Sequence, residues 1–364
     1  MKQELRERAR RILPEKLANN VIDMYKRGRA RAISARYGNP AQTVRVIAVT
    51  GAYGKTTTAK LITELLKEAG RKVEARIGDD MADEADMVAE LQQDLKRAKQ
   101  SETEFFILEV NAALVESGAL SGVSVDTVVV TSQNNEATML LEQVVNYAVV
   151  PDGELAGMLA LSEHQIMSFG EQAQAEMKID EIILYRKGTE LKLTLDHHTS
   201  ITVASHLVGR ANAYNVAAAV ATVYVLGVAL DTVEEGTARL ELVKGNYEYI
   251  SDNHAYTTVV DAASHDRSVE LAIDSTKELA KRRVIVALES KGLSDTVISY
   301  AKKQADRLIL VSNADVTLAG VEAVSSVEEA WLIAQRAAKK DDVVLLLGKD
   351  FTKAHVAPAA EAEK

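Results

Sequence analysis

The chain of 364 residues contains no cysteine, which excludes disulfides, thiolate-bound metals and cysteine nucleophiles. That absence fits a reducing compartment, and a cytoplasmic location is the expectation. Only four prolines occur, too few for a long proline-rich linker. No apolar run approaches the roughly 18–20 residues that a membrane-spanning helix needs. The opening stretch "MKQELRERARRILPEKL" is charged from its start and lacks the apolar core of a secretory signal. Aromatic residues make up 4% and are not interleaved with a basic patch, so no nucleic-acid partner is expected. No Gly-x-Ser-x-Gly elbow and no His-Glu-x-x-His pair is found, which removes two common hydrolase readings. Histidine is missing before His164, and lysine is missing between Lys99 and Lys178.

What is present belongs to a globular protein. Hydrophobic residues reach 47%, enough for real cores, and the length suits two domains with an appendage. A formal net charge of −10 suits small anionic ligands taken at local sites rather than a polyanion bound over the surface. Residues 1–40 run against that balance, with eleven Lys or Arg against four Asp or Glu. Leu5, Ala9, Ile12 and Leu13 recur at helical spacing, as do Leu17, Val21 and Met24, with Pro14 between them. Two basic amphipathic helices are expected. They either pack their apolar stripe on the body or offer a dock for a protein partner or a membrane surface.

From residue 43 the pattern changes to β-rich runs alternating with helical ones. "TVRVIAVT", "FFILEV" and "DTVVVT" are separated by "KTTTAKLITELLKEA" and "ADEADMVAELQQDLKRAK", the rhythm of a parallel sheet covered by helices. The short runs "GMLALS", "EIILYRK", "ELKLTLD" and "SITVAS" predict a small antiparallel sheet at one edge. A helix, "NAYNVAAAVATVYVLG", closes this part. A second α/β rhythm follows, with "TTVVD", "RRVIVAL", "DRLILV" and "DVVLLLG" as strands. The expected fold is α/β: a basic arm over 1–40, a central parallel-sheet domain over 41–243, and a Rossmann-like C-terminal domain over 244–364.

The chemistry concentrates in Gly51-Ala52-Tyr53-Gly54-Lys55-Thr56-Thr57. A strand delivers the chain to a turn whose glycines let backbone N–H groups approach an anion. The helix opening at Lys55 aims its positive dipole end at the same point. Lys55 is placed to neutralise the outer phosphates of a nucleotide, and the Thr56 hydroxyl to ligate Mg2+. Glu109 ends the apolar strand "FFILEV", where a carboxylate can assist the metal. ATP and Mg2+ are the expected cofactors. His197 and His198 sit beside Asp196 between two expected edge strands; a metal site is conceivable, but adjacent residues on a strand point to opposite faces, so structural or solvated roles are expected. His254 and Tyr256 fall in a polar loop.

Several of these segments resemble the Mur ligases and their folylpolyglutamate synthetase relatives. "GAYGKTTT" is similar to the family's Gly-x-x-Gly-Lys-Thr-Thr loop, and "ILEVNA" to its Mg2+ glutamate strand. "VGRANAYNVAAAVA" resembles the Gly-x-x-Asn-x-x-Asn helix, "VVDAASHDRSVELAI" the aspartate segment of the C-terminal domain, and "DDVVLLLGKDF" its last strand and turn. The order agrees over roughly residues 43–356. The resemblance implies an ATP-dependent acid–amino acid ligase that works through an acyl phosphate and releases ADP and phosphate, with a place in peptidoglycan precursor synthesis. Its substrates would be a small acid and an amino acid or peptide. It also implies that Lys55, Thr56 and Glu109 handle phosphates and metal, that Asn212 and Asn215 contact adenosine, and that Asp261 binds the ribose.

The sequence also departs from the family pattern. Thr138 stands where a second-metal histidine belongs, and the stretch between Lys99 and Lys178, where the family carries a carbamylated lysine, has none. Gly245-Asn246 replaces a Gly-Arg pair, Ala262 and Ser264 replace an aromatic and a His or Asn, and Leu347-Gly348-Lys349 replaces a Lys-Gly-Ser turn. His265 and Arg267 are candidates for a lost polar contact. With about 40 residues before the first strand, an N-terminal UDP-binding domain is not expected. A second reading therefore stands beside the ligase: an ATP-binding pseudo-ligase acting as a regulatory or scaffolding partner. A plain P-loop kinase or NTPase would leave Asn212, Asn215 and the second domain unexplained.

Overall fold

The computed structural model describes residues 15–78, 84–132, 135–141, 144–153, 156, 165–185, 188–240, 248–250, 256–312 and 321–353. The first expected arm helix, the run at 157–162, His164, Gly245, Asn246 and His254 lie outside these residues. The elements run α1 (Glu15–Arg36), β1 (Arg45–Thr50), α2 (Lys55–Glu68), β2 (Val73–Arg76), α3 (Glu84–Gln100), β3 (Phe105–Glu109), α4 (Ala112–Glu116), β4 (Val125–Val130), α5 (Asn135–Leu141), β5 (Val144–Pro151) and β6 (Gln165–Gly170). After them come β7 (Met177–Tyr185), β8 (Gly188–Leu195), β9 (Thr199–Ser205), α6 (Arg210–Val225) and α7 (Leu230–Arg239). The last part holds β10 (Glu248–Ile250), β11 (Thr257–Asp261), α8 (Asp266–Leu279), β12 (Val284–Glu289), α9 (Asp295–Gln304) and β13 (Arg307–Val311). It closes with β14 (Glu322–Val324), α10 (Val327–Ala337), β15 (Val343–Leu347) and α11 (Lys349–Lys353). The chain forms two compact units, one from 1–51, 58–176 and 218–232, the other from 52–57, 177–217 and 233–364.

In the first unit, β1 is apolar from Val46 to Val49, as a strand buried on both faces must be. It pairs in parallel with β3 on one side and β4 on the other; β2 extends the sheet beyond β3, and β5 and β6 extend it beyond β4. Val46, Ala48, Phe106, Leu108, Val128 and Val130 form one core layer with Met87, Val88, Leu91 and Leu95 of α3. The alternate residues Ile47, Val49, Ile107 and Val129 point to the other face and are equally buried. At the amino ends of the strands, Arg45 grips both carboxylate oxygens of Asp126 at 3.0 and 3.1 Å, and Asn146 of β5 donates to the same group at 2.8 Å. Burial opposes the charge on Asp126, but these donors outweigh it and hold the carboxyl below its usual range.

The arm helix departs from expectation in its orientation. Ile22, Ala30 and Ser34 face inward, and α1 packs on the turn 119–122 and on α3. The Ser34 hydroxyl donates to the Gly122 carbonyl at 2.8 Å, Arg31 donates to the Ser121 carbonyl at 3.3 Å, and Lys26 donates to the Glu116 carbonyl. A Cβ on Gly122 would lie 2.7 Å from the Ser34 Cβ, so close approach selected small residues over large apolar ones. Val21 and Met24, the residues of the expected packing stripe, are 39% and 71% exposed.

The second unit contains the strands β7–β8–β9, antiparallel as expected for these short runs, with a register shift between Ile179 and Glu181. It also holds a six-stranded sheet in the order β10-β11-β15-β12-β13-β14, parallel except for β10. One face is covered by Val269, Ile273, Val297 and Ala301 of α8 and α9, the other by Ala330, Trp331, Ala334 and Phe351 of α10 and α11. Helices on both faces make this the doubly wound arrangement expected for the C-terminal segment. Asp342, fully buried, holds it from below: Arg283 lies 2.5 Å away and the Lys339 N–H donates at 2.8 Å.

Burial disfavours the charge on Asp342, yet Arg283 and the Lys339 N–H outweigh it and lower the carboxyl's pKa. A lowered folded-state pKa makes its contribution present above the unfolded value near 3.8 and lost as pH falls through the folded value. Asp342→Asn is therefore expected to destabilise the protein by about 2–3 kcal/mol at neutral pH. Urea unfolding at pH 7 and below pH 4 should show the gap between wild type and variant shrinking; an equal gap at both would contradict this assignment.

Candidate functional site

The loop 51–57 leaves the carboxyl end of β1, the strand flanked by β3 and β4. The parallel register sets Val49 beside Glu109 and Thr50 beside Val130. The Val110 N–H donates to the Val49 carbonyl at 2.9 Å, and Thr131 donates to the Thr50 carbonyl through its N–H at 2.9 Å and its hydroxyl at 3.1 Å. The root of the loop is thus fixed on both sides. The Thr50 hydroxyl is buried there, with no hydrogen-bond partner among the described residues.

Glycine is required twice. Gly51 has φ +146°, and a Cβ on it would lie 2.1 Å from the Thr131 hydroxyl oxygen and 2.9 Å from the Ser132 nitrogen. Gly54 has φ +80°, and its Cβ would meet Asn215 Oδ1 at 2.1 Å. Neither position accepts an L side chain without strain and collision. α2 then begins at Lys55, with Lys55 and Thr56 half-buried and Thr57 and Thr58 buried as the floor of its first turn. Ala52 is exposed and Tyr53 half-buried. This arrangement presents a helix N-terminus, a lysine and a hydroxyl at the carboxyl edge of a parallel sheet, a site suited to a phosphate chain.

Glu109 is half-buried, and its Oε2 accepts the Gly78 N–H at 2.9 Å. Asn212 and Asn215 lie one turn apart on α6 and are 5% and 7% exposed. Asn212 Nδ2 donates to the Val208 carbonyl at 2.9 Å, and Asn215 Nδ2 donates to Asn212 Oδ1 at 3.1 Å. This chain of amides carries Asn215 Oδ1 against Gly54. Asp261 ends β11 and accepts the Ala263 N–H at 2.7 Å. The structure therefore brings Asn212, Asn215 and Gly54 together, and sets Glu109 in register with the strand that feeds the loop. Among the described residues, no three His, Asp, Glu or Cys side chains come together as a metal-binding group. Thr138 is exposed on α5.

Three further groups were not singled out in the sequence. Thr131 and Ser132 close on Gly51, and only their place after an apolar strand could have marked them. Glu289 ends β12 as Glu109 ends β3. Its Oε1 accepts the N–H groups of Asp350 at 2.7 Å and Phe351 at 3.2 Å, and sits where a Cβ on Gly348 would fall. The same signal, an acidic residue ending an apolar strand, thus marks a helix cap in one sheet and a site candidate in the other. Of the two residues weighed in α8, His265 is the exposed residue capping the helix start. Arg267 is bonded to Glu270 at 2.9 Å, which raises its pKa, with a smaller contribution from Tyr53 of the loop.

Comparison with known proteins agrees with the α/β fold. The Mur ligase middle domain matches residues 49–137 and 134–223, and the Mur ligase glutamate ligase domain matches 238–350. The UDP-N-acetylmuramoyl-L-alanyl-D-glutamate–2,6-diaminopimelate ligase of Geobacillus kaustophilus is 27% identical, over 88% of this chain and 77% of its own length. The ligase of the same name from Bacillus velezensis is 26% identical, over 86% and 75%. Among solved structures, MurF from Acinetobacter baumannii aligns with a TM-score of 0.66 at 19% identity, covering 92% of this chain and 78% of that one. The apo form of L. casei FPGS aligns at 0.67 and 16%, covering 90% and 93%. With both domain models matched in order behind the glycine loop, the chain belongs to the Mur ligase family.

Proposed function

We propose that the protein is an ATP-dependent acid–amino acid ligase of peptidoglycan precursor synthesis, which joins a substrate carboxylate to an amine with release of ADP and phosphate. The observation that carries this reading is the 51–57 loop. Gly51 is held at positive φ against Thr131 and Gly54 against Asn215, and the loop opens directly into α2. In this assignment residues 41–243 bind the nucleotide and 244–364 form the second catalytic domain, with the basic arm ahead of them.

Each residue then has a physical task. The loop N–H groups of 51–54 and the first turn of α2 hold the phosphates, and Lys55 balances their charge. Asn212 and Asn215 hold Gly54 in place and contact the adenosine; Asp261 takes the ribose. The oxygen donors of Thr56 and Glu109 suit a hard cation, and these two residues would hold Mg2+. When bound, the ion supplies charge dispersal on the phosphate oxygens. The Gly78 N–H keeps the Glu109 carboxylate oriented meanwhile. The acid and amine printed in the relatives' names, UDP-N-acetylmuramoyl-L-alanyl-D-glutamate and 2,6-diaminopimelate, are the first pair to offer.

Purified protein given Mg·ATP, that pair and a pool of small acids and amino acids is expected to release ADP. It should also form a product heavier by one amino-acid residue in the mass spectrum. Lys55→Ala should lower both by at least on the order of a hundredfold. Bound but uncleaved ATP would instead identify the nucleotide-binding pseudo-ligase. Gly54→Ala should weaken ATP binding in a titration by tenfold or more, since a strained αL alanine costs about 1–3 kcal/mol and collides with Asn215. Unchanged affinity there would sink the phosphate-loop assignment.

A further inference from the structure

The outward face of α1 has a chemistry that the ligase reading does not use. At 100° per residue, Val21, Met24, Tyr25, Gly28, Ala32 and Ala35 fall on one side of the helix, and all six are exposed. The packed residues Ile22, Ala30 and Ser34 lie opposite. Val21, Met24 and Tyr25 are 39%, 71% and 46% exposed, and beyond the helix's own turn no heavy atom of the described residues lies within 4 Å of a Cβ placed on Gly28. Arg27 flanks this stripe on one side, beside Arg31 that also donates to the Ser121 carbonyl, and Arg29 and Arg36 flank it on the other. Here an apolar band runs between two basic rails, on a helix anchored to the body through its other face.

We propose that this face of α1 docks on an anionic lipid surface. Charge selects that occupant. Residues 1–40 carry a surplus of seven positive charges in a chain of net charge −10, so the remainder carries −17. A second copy of the helix, or residues 1–14 with five Lys or Arg against two Asp or Glu, would set like charges against the arginine rails. A lipid surface needs no complementary shape. It accepts a short apolar band at the headgroup boundary and rewards basic flanks with length to reach the phosphates.

The test uses the full chain in co-sedimentation with phosphatidylglycerol–phosphatidylcholine vesicles, against phosphatidylcholine alone, at low and high salt. Binding is expected only to the anionic vesicles, with release by salt. Arg27→Gln with Arg36→Gln should weaken partitioning on the order of tenfold or more, and Met24→Asp should do so while leaving the melting temperature and ADP release unchanged. No binding, equal binding to neutral vesicles, or undiminished binding by Met24→Asp would each overturn the proposal. So would a dimer in light scattering that Met24→Asp dissolves, because the stripe would then be an interface between copies.

Discussion

The candidate site depends on a sharp exit from a rigid strand. β1 sits between β3 and β4, buried on both faces, and its last carbonyls are occupied by Val110 and Thr131. The chain must then turn at once into a helix whose N-terminus faces the sheet edge. Gly51 and Gly54 make that turn at positive φ in a space where any Cβ would touch Thr131 or Asn215. Rigidity upstream and the absence of side chains in the turn are one requirement, since a mobile root would leave the loop N–H groups without a fixed direction. The Asn212–Asn215 amide pair extends the same constraint by fixing the far side of the loop with a buried, hydrogen-bonded group.

The second sheet repeats the rule that ligand-facing chemistry collects at the carboxyl ends of parallel strands, with a different balance. Asp261 and Glu289 both end strands there. Glu289 is committed to the N–H groups of Asp350 and Phe351, and Asp261 to that of Ala263. Ion pairs with an exposed arginine and a buried or nearly buried carboxylate sit at the opposite ends in both units, Arg45–Asp126 in one and Arg283–Asp342 in the other. The amino edges are thus fastened by charge, while the carboxyl edges keep their polar groups for loops.

Much of this was legible because local rules and global fold agree. The strands β1, β3 and β4 read as short apolar runs, the glycine spacing identified the loop, and the short runs of β7–β9 pointed to an antiparallel sheet. β5 and β6 were missed. "VVNYAVVP" carries a proline, which argues against an inner strand, yet Pro151 is the last residue of β5, and Asn146 is there to serve Asp126. The arm helix was recognised but its packed face was not. Periodicity weighs apolar size, whereas α1 meets the turn at Gly122 through Ala30 and Ser34, where smallness decides. Glu109 and Glu289 look alike in the sequence, and only partners brought from elsewhere in the chain separate them.

The docking of α1 sets an order of events during synthesis. Its anchors, the carbonyls of Glu116, Ser121 and Gly122, lie 88 to 90 residues further along the chain. The helix therefore leaves the ribosome well before its seat exists, and closing so long a loop has an entropic cost that is met only once the sheet it packs beside has formed. For that interval both faces of the helix are bare. A nascent chain whose cationic amphipathic segment waits unpaired is a natural client for chaperones.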